Sequence, residues 1–322
     1  MSRTSTEPVR HALNGPTMGT RWSAVIHAET GLDAGALRRA LGAAVAEVDA
    51  QMSTWKADSD LMRLNRAAEG EWHAVPGPLM EVLEAGQAVG RATGGAFDIG
   101  MGDAVAAWGF SGGAADPARI RAALAAERRP ACELLELDPE NARVRKHGAL
   151  ALDLSGIAKG YGVDRLAEVA REFGIGSALL SIDGEVRAIG ARPDGRPWAV
   201  AVERPERARR AAHSVLALED AAAATSGDYR HWVDLGGRQL SHTMDPRKGA
   251  PLARSPASVT VVAKTCMLAD AWATALMVMG TSLGAELARA LGLSVLFLDR
   301  VADGGSVATG IGPVFEGGQV PA

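Results

Sequence analysis

The sequence predicts an α+β fold, and three observations predict it. Between residues 33 and 93 apolar residues recur at helical spacing. Between residues 178 and 218 they gather in short strand-like runs separated by glycine or proline. The two kinds of segment follow one another without a regular strand–helix–strand rhythm, which disfavours a doubly wound parallel sheet.

In chain order, residues 1–17 read as a polar, poorly ordered arm. Trp22 to His27 carries Trp, Val and Ile in loose alternation and reads as a strand. Asp33 to Met52 places Leu37, Leu41, Val45, Val48 and Met52 on one helical face. Ser59 caps a short helix through Asn65. Pro78 suits the first turn of a helix that stops at Gly94-Gly95. Pro117 to Glu127 is helical, and residues 142–153 suggest a strand pair around His147-Gly148. Lys159 to Phe173 is a helix ended by Gly174. Short strands follow at Ala178–Ile182, Val186–Ile189, Trp198–Val202 and Val215–Leu218. Gly236-Gly237 reads as a hairpin turn, and Ser258–Val262 as a β-branched strand. Thr265–Met279 is nearly all apolar and reads as a buried helix. A helix near 283–291, a strand at 294–298 and a Gly-rich tail close the chain.

Composition narrows the function classes. The 322 residues suggest about two domains by length alone. With 47% hydrophobic and 22% charged residues, the chain has the composition of a globular protein and is not disordered. Two cysteines, Cys132 and Cys266, exclude a disulfide scaffold, and no zinc spacing joins them. A net charge of −4 lacks the basic field of a nucleic-acid binder. No uncharged apolar run reaches the length of a membrane span. The stretch MSRTSTEPVRHALNGP holds no apolar signal region, so a cytoplasmic location is expected, or a periplasmic one if an export segment has been removed.

Several segments carry groups suited to chemistry. In ALDLSGIAKGYGVD (151–164) a strand, a turn and a helix start succeed one another, with Lys159 at the helix start. Such a start suits phosphate, but an ordinary strand–turn–helix reads the same way. In TCMLADAWATALMVMG (265–280) Asp270 and Thr274 share one helix face. A buried carboxylate needs a partner, which a hard cation or a neighbouring loop or arginine supplies. His242 precedes the turn Asp245-Pro246…Gly249 at a strand end, where a general base can reach a substrate, although a single histidine is more often structural than catalytic. The segments GGAFD (94–98), TSGDY (225–229) and MSTWKADSD (52–60) read as ligand-holding loops or as plain turns, Trp55 as a stacking ring or a core-packing lid.

Taken together and in order, MGTRW (18–22), MSTWKADSDLMRLN (52–65), GGAFDIG (94–100), WGF (108–110), LDLSGIAKGYGVDRL (152–166), ATSGDYR (224–230), SHTMDPRKGAP (241–251) and VAKTCMLADAWATALMVMG (262–280) resemble the ApbE family, the FAD:protein FMN transferases. The resemblance spans residues 18 to 280. It implies a single compact α+β unit over 18–322, with mixed or antiparallel sheets, flanking helices and an FAD cleft between lobes. It implies transfer of FMN from FAD, with Mg²⁺ at the pyrophosphate, to a Thr or Ser hydroxyl of an acceptor flavoprotein, releasing AMP. On this resemblance Asp270, Thr274 and the backbone of Gly156 hold the metal, and His242 is the base. FAD contacts fall on Met18, Trp55, Ala96, Phe97, Asp98, Asp153, Lys159 and Met244. Two rivals share these residues: an FAD pyrophosphatase yielding FMN and AMP, and a non-enzymatic FAD-binding protein. The chain departs from the family pattern at Asp183-Gly184-Glu185, where Gly-Gly followed by Asp or Asn is usual.

Overall fold

The computed structural model describes residues 8–206, 210–229, 232–235, 238–301 and 305–316. The chain opens with a hairpin of β1 (Val9–Thr17) and β2 (Thr20–Ala28). Residues 9–17, a loose arm on the sequence reading, are therefore an edge strand; residues 1–7 lie outside the described residues. The strand was hidden because only one of its faces is covered. Its Gly15 admits the indole of Trp22, which would stand 2.7 Å from a Cβ there. The two-residue turn Met18-Gly19 has positive φ at both positions, 44° and 70°, as a tight hairpin requires.

Helix α1 (Ala34–Met52) starts where the Asp33 carboxylate accepts from the Ala36 N–H, and α2 (Asp60–Arg66) where the Ser59 hydroxyl accepts from the Met62 N–H. Then come β3 (Trp72–Ala74), α3 (Gly77–Ala92) with Pro78 in its first turn, α4 (Gly102–Ala107), α5 (Pro117–Ala125), α6 (Ala131–Leu134), β4 (Leu135–Asp138) and β5 (Arg143–Lys146). The expected strand pair around His147-Gly148 does not form. Strand β5 lies between β3 and β4 instead, and the chain beyond it is fastened by side chains. Asn65 holds both the N–H and the carbonyl of Leu152, at 2.7 and 2.9 Å.

The second half contains α7 (Ala158–Glu172), β6 (Ser177–Ile182), β7 (Glu185–Ile189), β8 (Trp198–Glu203), β9 (Ala212–Leu218) and β10 (Ala222–Gly227). Residues 225–227 are thus the end of a strand rather than a loop. After them come β11 (Trp232–Leu235), β12 (Arg238–Ser241), β13 (Met244–Asp245), β14 (Ala250–Pro251) and β15 (Ser258–Ala263). Strands β11 and β12 pair antiparallel as expected, while Gly236-Gly237 lies outside the described residues. Helix α8 (Cys266–Leu291), β16 (Ser294–Arg300) and β17 (Ser306–Ile311) end the described chain. The two C-terminal helices of the sequence reading are both present as the two halves of α8, which is interrupted at Gly280, whose φ of 75° is not helical. Strand β17 was masked by its glycine-rich surroundings.

Among the described residues the main sheet has eight strands in the order β1-β2-β6-β7-β10-β15-β16-β17, every pair antiparallel. Alternation sorts its side chains. Val295 and Phe297 of β16 face α8, while Leu296 and Leu298 face the β8–β9 hairpin. Helices α1 and α7 cover the β2–β6 end through Leu37, Leu41, Val163 and Leu166. Each such fully buried side chain is worth about 1.5–3 kcal/mol. A second cluster joins α2 and α3 to the first turns of α7 and α8, and a third joins α4, α5 and Met244. These two clusters and the main sheet bound a cleft. Helix α8 is long and apolar enough to cross a membrane by length and composition. It buries Asp270 and packs in the core, as a central helix does.

Candidate active site

The segment before α7 is tied down by its own backbone. The Asp153 N–H donates to the Ile99 carbonyl at 2.8 Å, and the Ile157 and Ala158 N–H groups donate to Leu154. One oxygen of Asp153 accepts from the Ser155 N–H at 2.9 Å. The other, Oδ2, is buried without a hydrogen-bond partner, and burial raises the carboxyl above its ordinary range. A buried acceptor left open on a cavity wall is a place for a ligand donor.

Helices α7 and α8 meet at Gly160. A Cβ there would stand 2.3 Å from the Cys266 carbonyl oxygen and 2.8 Å from Asp270 Cβ, so only glycine fits. This approach lets the Gly160 N–H donate to Asp270 Oδ2 at 3.0 Å. Burial raises the Asp270 carboxyl, against the pull of the Lys159 ammonium. One turn further along α8, Thr274 Oγ1 lies 3.1 Å from the Ser226 hydroxyl of β10. A Cβ on Gly156 would come within 3.2 Å of that same Thr274 Oγ1.

Lys159, in the first turn of α7, contacts Glu185 Oε1 at 2.8 Å and Asp183 Oδ2 at 3.4 Å. Burial pulls the ammonium down, but Glu185, Asp270 and Asp183 outweigh it and hold Lys159 above its ordinary value. Burial pushes Glu185 up to about 8, with Lys159 opposing. The departure at Asp183-Gly184 has a local explanation. Both residues have positive φ, 51° and 110°, in the two-residue turn from β6 to β7. Asp-Gly is a favoured pair for that turn, so an aspartate replaces glycine without changing the backbone.

His242 follows β12 and precedes the β13–β14 ribbon. The ribbon's turn closes through the Gly249 N–H to the Asp245 carbonyl at 3.0 Å. The Trp108 indole N–H donates to the Gly249 carbonyl at 2.9 Å and pins the turn against α4 and α5.

These pieces line one cavity of about 1370 Å³. Ten of the residues singled out from sequence reach it: Ala96, Phe97, Asp98, Asp153, Gly156, Lys159, His242, Met244, Asp270 and Thr274. Asp98 also has a structural task, because its Oδ1 accepts from the Gly100 and Ala131 N–H groups. Met18 and Trp55 do not line the cavity. Met18 sits in the first hairpin turn with its methyl group over Gly162 of α7. Trp55 is 71% exposed and its ring rests on Gly112. Sequence reasoning had no side chain for the Trp55 ring to meet, since its support is the backbone of Gly112, while Met18 packs against the buried cluster that joins α2 and α3 to α7. Ser226 and Tyr229, from the TSGDY segment read as a ligand-holding loop or a turn, also line the cavity, whereas sequence reasoning missed Glu203 at the end of β8, which no local motif marks.

The donor set suits a hard cation. Asp270 and Thr274 offer only oxygen, and Gly156 brings backbone to the same place. Among the described residues no three His, Cys, Asp or Glu side chains gather as metal ligands. A hard divalent cation takes such oxygen donors together with waters and phosphate oxygens.

Comparison with known proteins places this arrangement. The model of the ApbE family matches residues 18–297. An FAD:protein FMN transferase of Vibrio cholerae is 37% identical over 91% of this chain and 88% of its own length. One of Escherichia coli is 33% identical over 94% and 88%. The solved flavin transferase ApbE from Vibrio cholerae superposes with a TM-score of 0.82 at 34% identity, covering 94% of this chain and 97% of its own. The apo form of the Pseudomonas stutzeri flavinyl transferase ApbE gives 0.82 at 33% identity, covering 96% of each chain. Strands β2, β6, β7, β10 and β15 of the antiparallel sheet, the glycine contact between α7 and α8 and the cavity they frame lie within the matched residues, and the chain belongs to the ApbE family.

Proposed function

We propose that the chain moves FMN from FAD onto a threonine or serine hydroxyl of an acceptor flavoprotein, with Mg²⁺ and with release of AMP. That it is a transferase, an FAD:protein FMN transferase, follows from its family and its curated relatives. One observation carries the finer reading: His242, Lys159, Asp270 and Thr274 face a single cavity large enough for a dinucleotide.

Each residue then has a task. The acceptor hydroxyl loses its proton to an imidazole nitrogen of His242, a base whose ordinary pKa is near neutrality. The hydroxyl oxygen bonds to the FMN-side phosphorus, the anhydride bond breaks, and AMP leaves with the bridging oxygen. Asp270, Thr274 and the Gly156 backbone would hold the cation. Bound Mg²⁺ supplies positive charge at the phosphoryl oxygens. Lys159 offsets Glu185 and Asp183, which would otherwise repel a pyrophosphate. The open oxygen of Asp153 accepts a hydrogen bond from the nucleotide. Phe97 and Met244 offer apolar walls to the rings.

The test is incubation with FAD and Mg²⁺, with and without an acceptor flavoprotein domain, followed by intact-protein mass and nucleotide analysis. Expected are an acceptor heavier by one FMN, free AMP, and loss of both with a chelator. Free FMN and AMP without an adduct on a competent acceptor would instead establish a pyrophosphatase. Intact FAD would leave a binding protein.

A further inference from the structure

Asp164 plays no part in the chemistry described above, yet it is a buried carboxylate facing the start of α8. Its Oδ1 accepts from the Cys266 N–H and its Oδ2 from the Met267 N–H, both at 2.9 Å. These are the first two residues of α8, whose N–H groups have no partner within the helix. Arg187 of β7 forms a close ion pair with the same carboxylate, and both side chains are nearly buried. Helix α8 returns the arrangement: its Asp270 accepts from Gly160 in the first turn of α7. Each helix therefore carries, within two turns of its start, the acid that caps the other. Between the two bonds the backbones touch at Gly160 and Cys266.

We infer that Asp164 is a positioning residue for the cation site, setting the placement of α8 and thereby of Asp270 and Thr274. The inference rests on the cation reading given under Proposed function. The physical reason is rigidity. Asp270 stands one helical turn from Cys266, so the two cap bonds that fix Cys266 and Met267 also fix the height and rotation of Asp270. Asp164 anchors that turn to α7, and Arg187 anchors Asp164 to the main sheet. Outer groups of this kind typically change metal affinity 10–100-fold when altered.

The experiment measures uptake of Mn²⁺ by the full chain in the presence of FAD, from the loss of the free-ion paramagnetic resonance signal. Asp164→Asn keeps the shape and removes the charge and one acceptor. Asp164→Ser, a shorter cap, serves if the first variant fails to fold. The folded variant is expected to bind Mn²⁺ roughly 10–100-fold more weakly. Turnover should need correspondingly more Mg²⁺, with kcat recovering towards the unaltered value at saturation. Unchanged Mn²⁺ affinity with a lowered melting temperature would overturn the inference and leave a purely structural cap. Asp270→Ala separates the two levels. Should it bind Mn²⁺ as the unaltered chain does, the cation site itself is refuted, and the role of Asp164 with it.

Discussion

Gly160→Ala is the sharpest probe of how this site is held together. One added methyl group would stand 2.3 Å from the Cys266 carbonyl oxygen, 2.7 Å from its carbon and 2.8 Å from Asp270 Cβ. Two of these are backbone atoms, so no side chain can swing aside. An ordinary contact needs about 3.5 Å, so α7 and α8 must part by about 1 Å. Overpacking of this kind costs about 1–3 kcal/mol. The bond from Gly160 N–H to Asp270 stretches with it, and a bond to a charged group is worth about 1.5–3 kcal/mol. Alanine returns about 1 kcal/mol of helix propensity. The net expectation is a loss of about 1.5–5 kcal/mol in urea unfolding, together with a raised Mg²⁺ requirement for FMN transfer. Gly42→Ala is the control, because Gly42 lies inside α1 with nothing near its missing Cβ. It should stabilise by about 0.5–1 kcal/mol. If Gly160→Ala unfolds within about 0.5 kcal/mol of the unaltered chain and keeps its Mg²⁺ dependence, the contact does not position Asp270.

Three further outcomes follow from the same geometry. His242→Ala should lower covalent FMN incorporation by about 10²–10⁴-fold while FAD still binds, as read by intact mass and by flavin fluorescence. Trp55→Ala should change FAD affinity by no more than a factor of about two, since the ring sits outside the cavity; a large loss of flavin binding would refute that placement. His27 meets Trp198 edge-on at 5.5 Å, and burial, with Arg10 and Arg192 adding repulsion, holds its imidazole below the ordinary 6.5. The unfolded chain then takes up the proton first, so the ring's contribution is full above pH 6.5 and fades as pH falls. Urea stability measured from pH 7.5 down to 5.5, about a unit on either side of that value, should decline less steeply in His27→Gln than in the unaltered chain; parallel curves would sink the assignment.

Local chemistry wrote much of this fold into the sequence. Asp33, Ser59 and Pro78 announce helix starts because capping and proline geometry act within one turn. Asp-Gly at 183–184 marks its hairpin for the same reason. The apolar stretch from Thr265 is legible as a buried helix, and the i,i+4 spacing puts Asp270 and Thr274 on one face of it. Motif order across residues 18–280 pointed to the family that the whole-chain comparison supports.

Other features depend on contacts between distant segments, and only the tertiary structure decided them. Strand β1 exists because β2 pairs with it and Trp22 lies on Gly15. Strand β5 chose β3 and β4 over the residues that follow it, since Asn65 already holds Leu152. Sheet pairing carries Ser226 to Thr274, and a glycine-sized gap brings Asp270 to the start of α7. Trp55 reads as a flavin-stacking ring from its type and place, yet its bed is the backbone of Gly112, which no side-chain pattern advertises. Composition and spacing act along the chain over one or two turns. Which helix start faces which carboxylate is settled by packing across the whole core, where a contact closes only if every intervening residue fits.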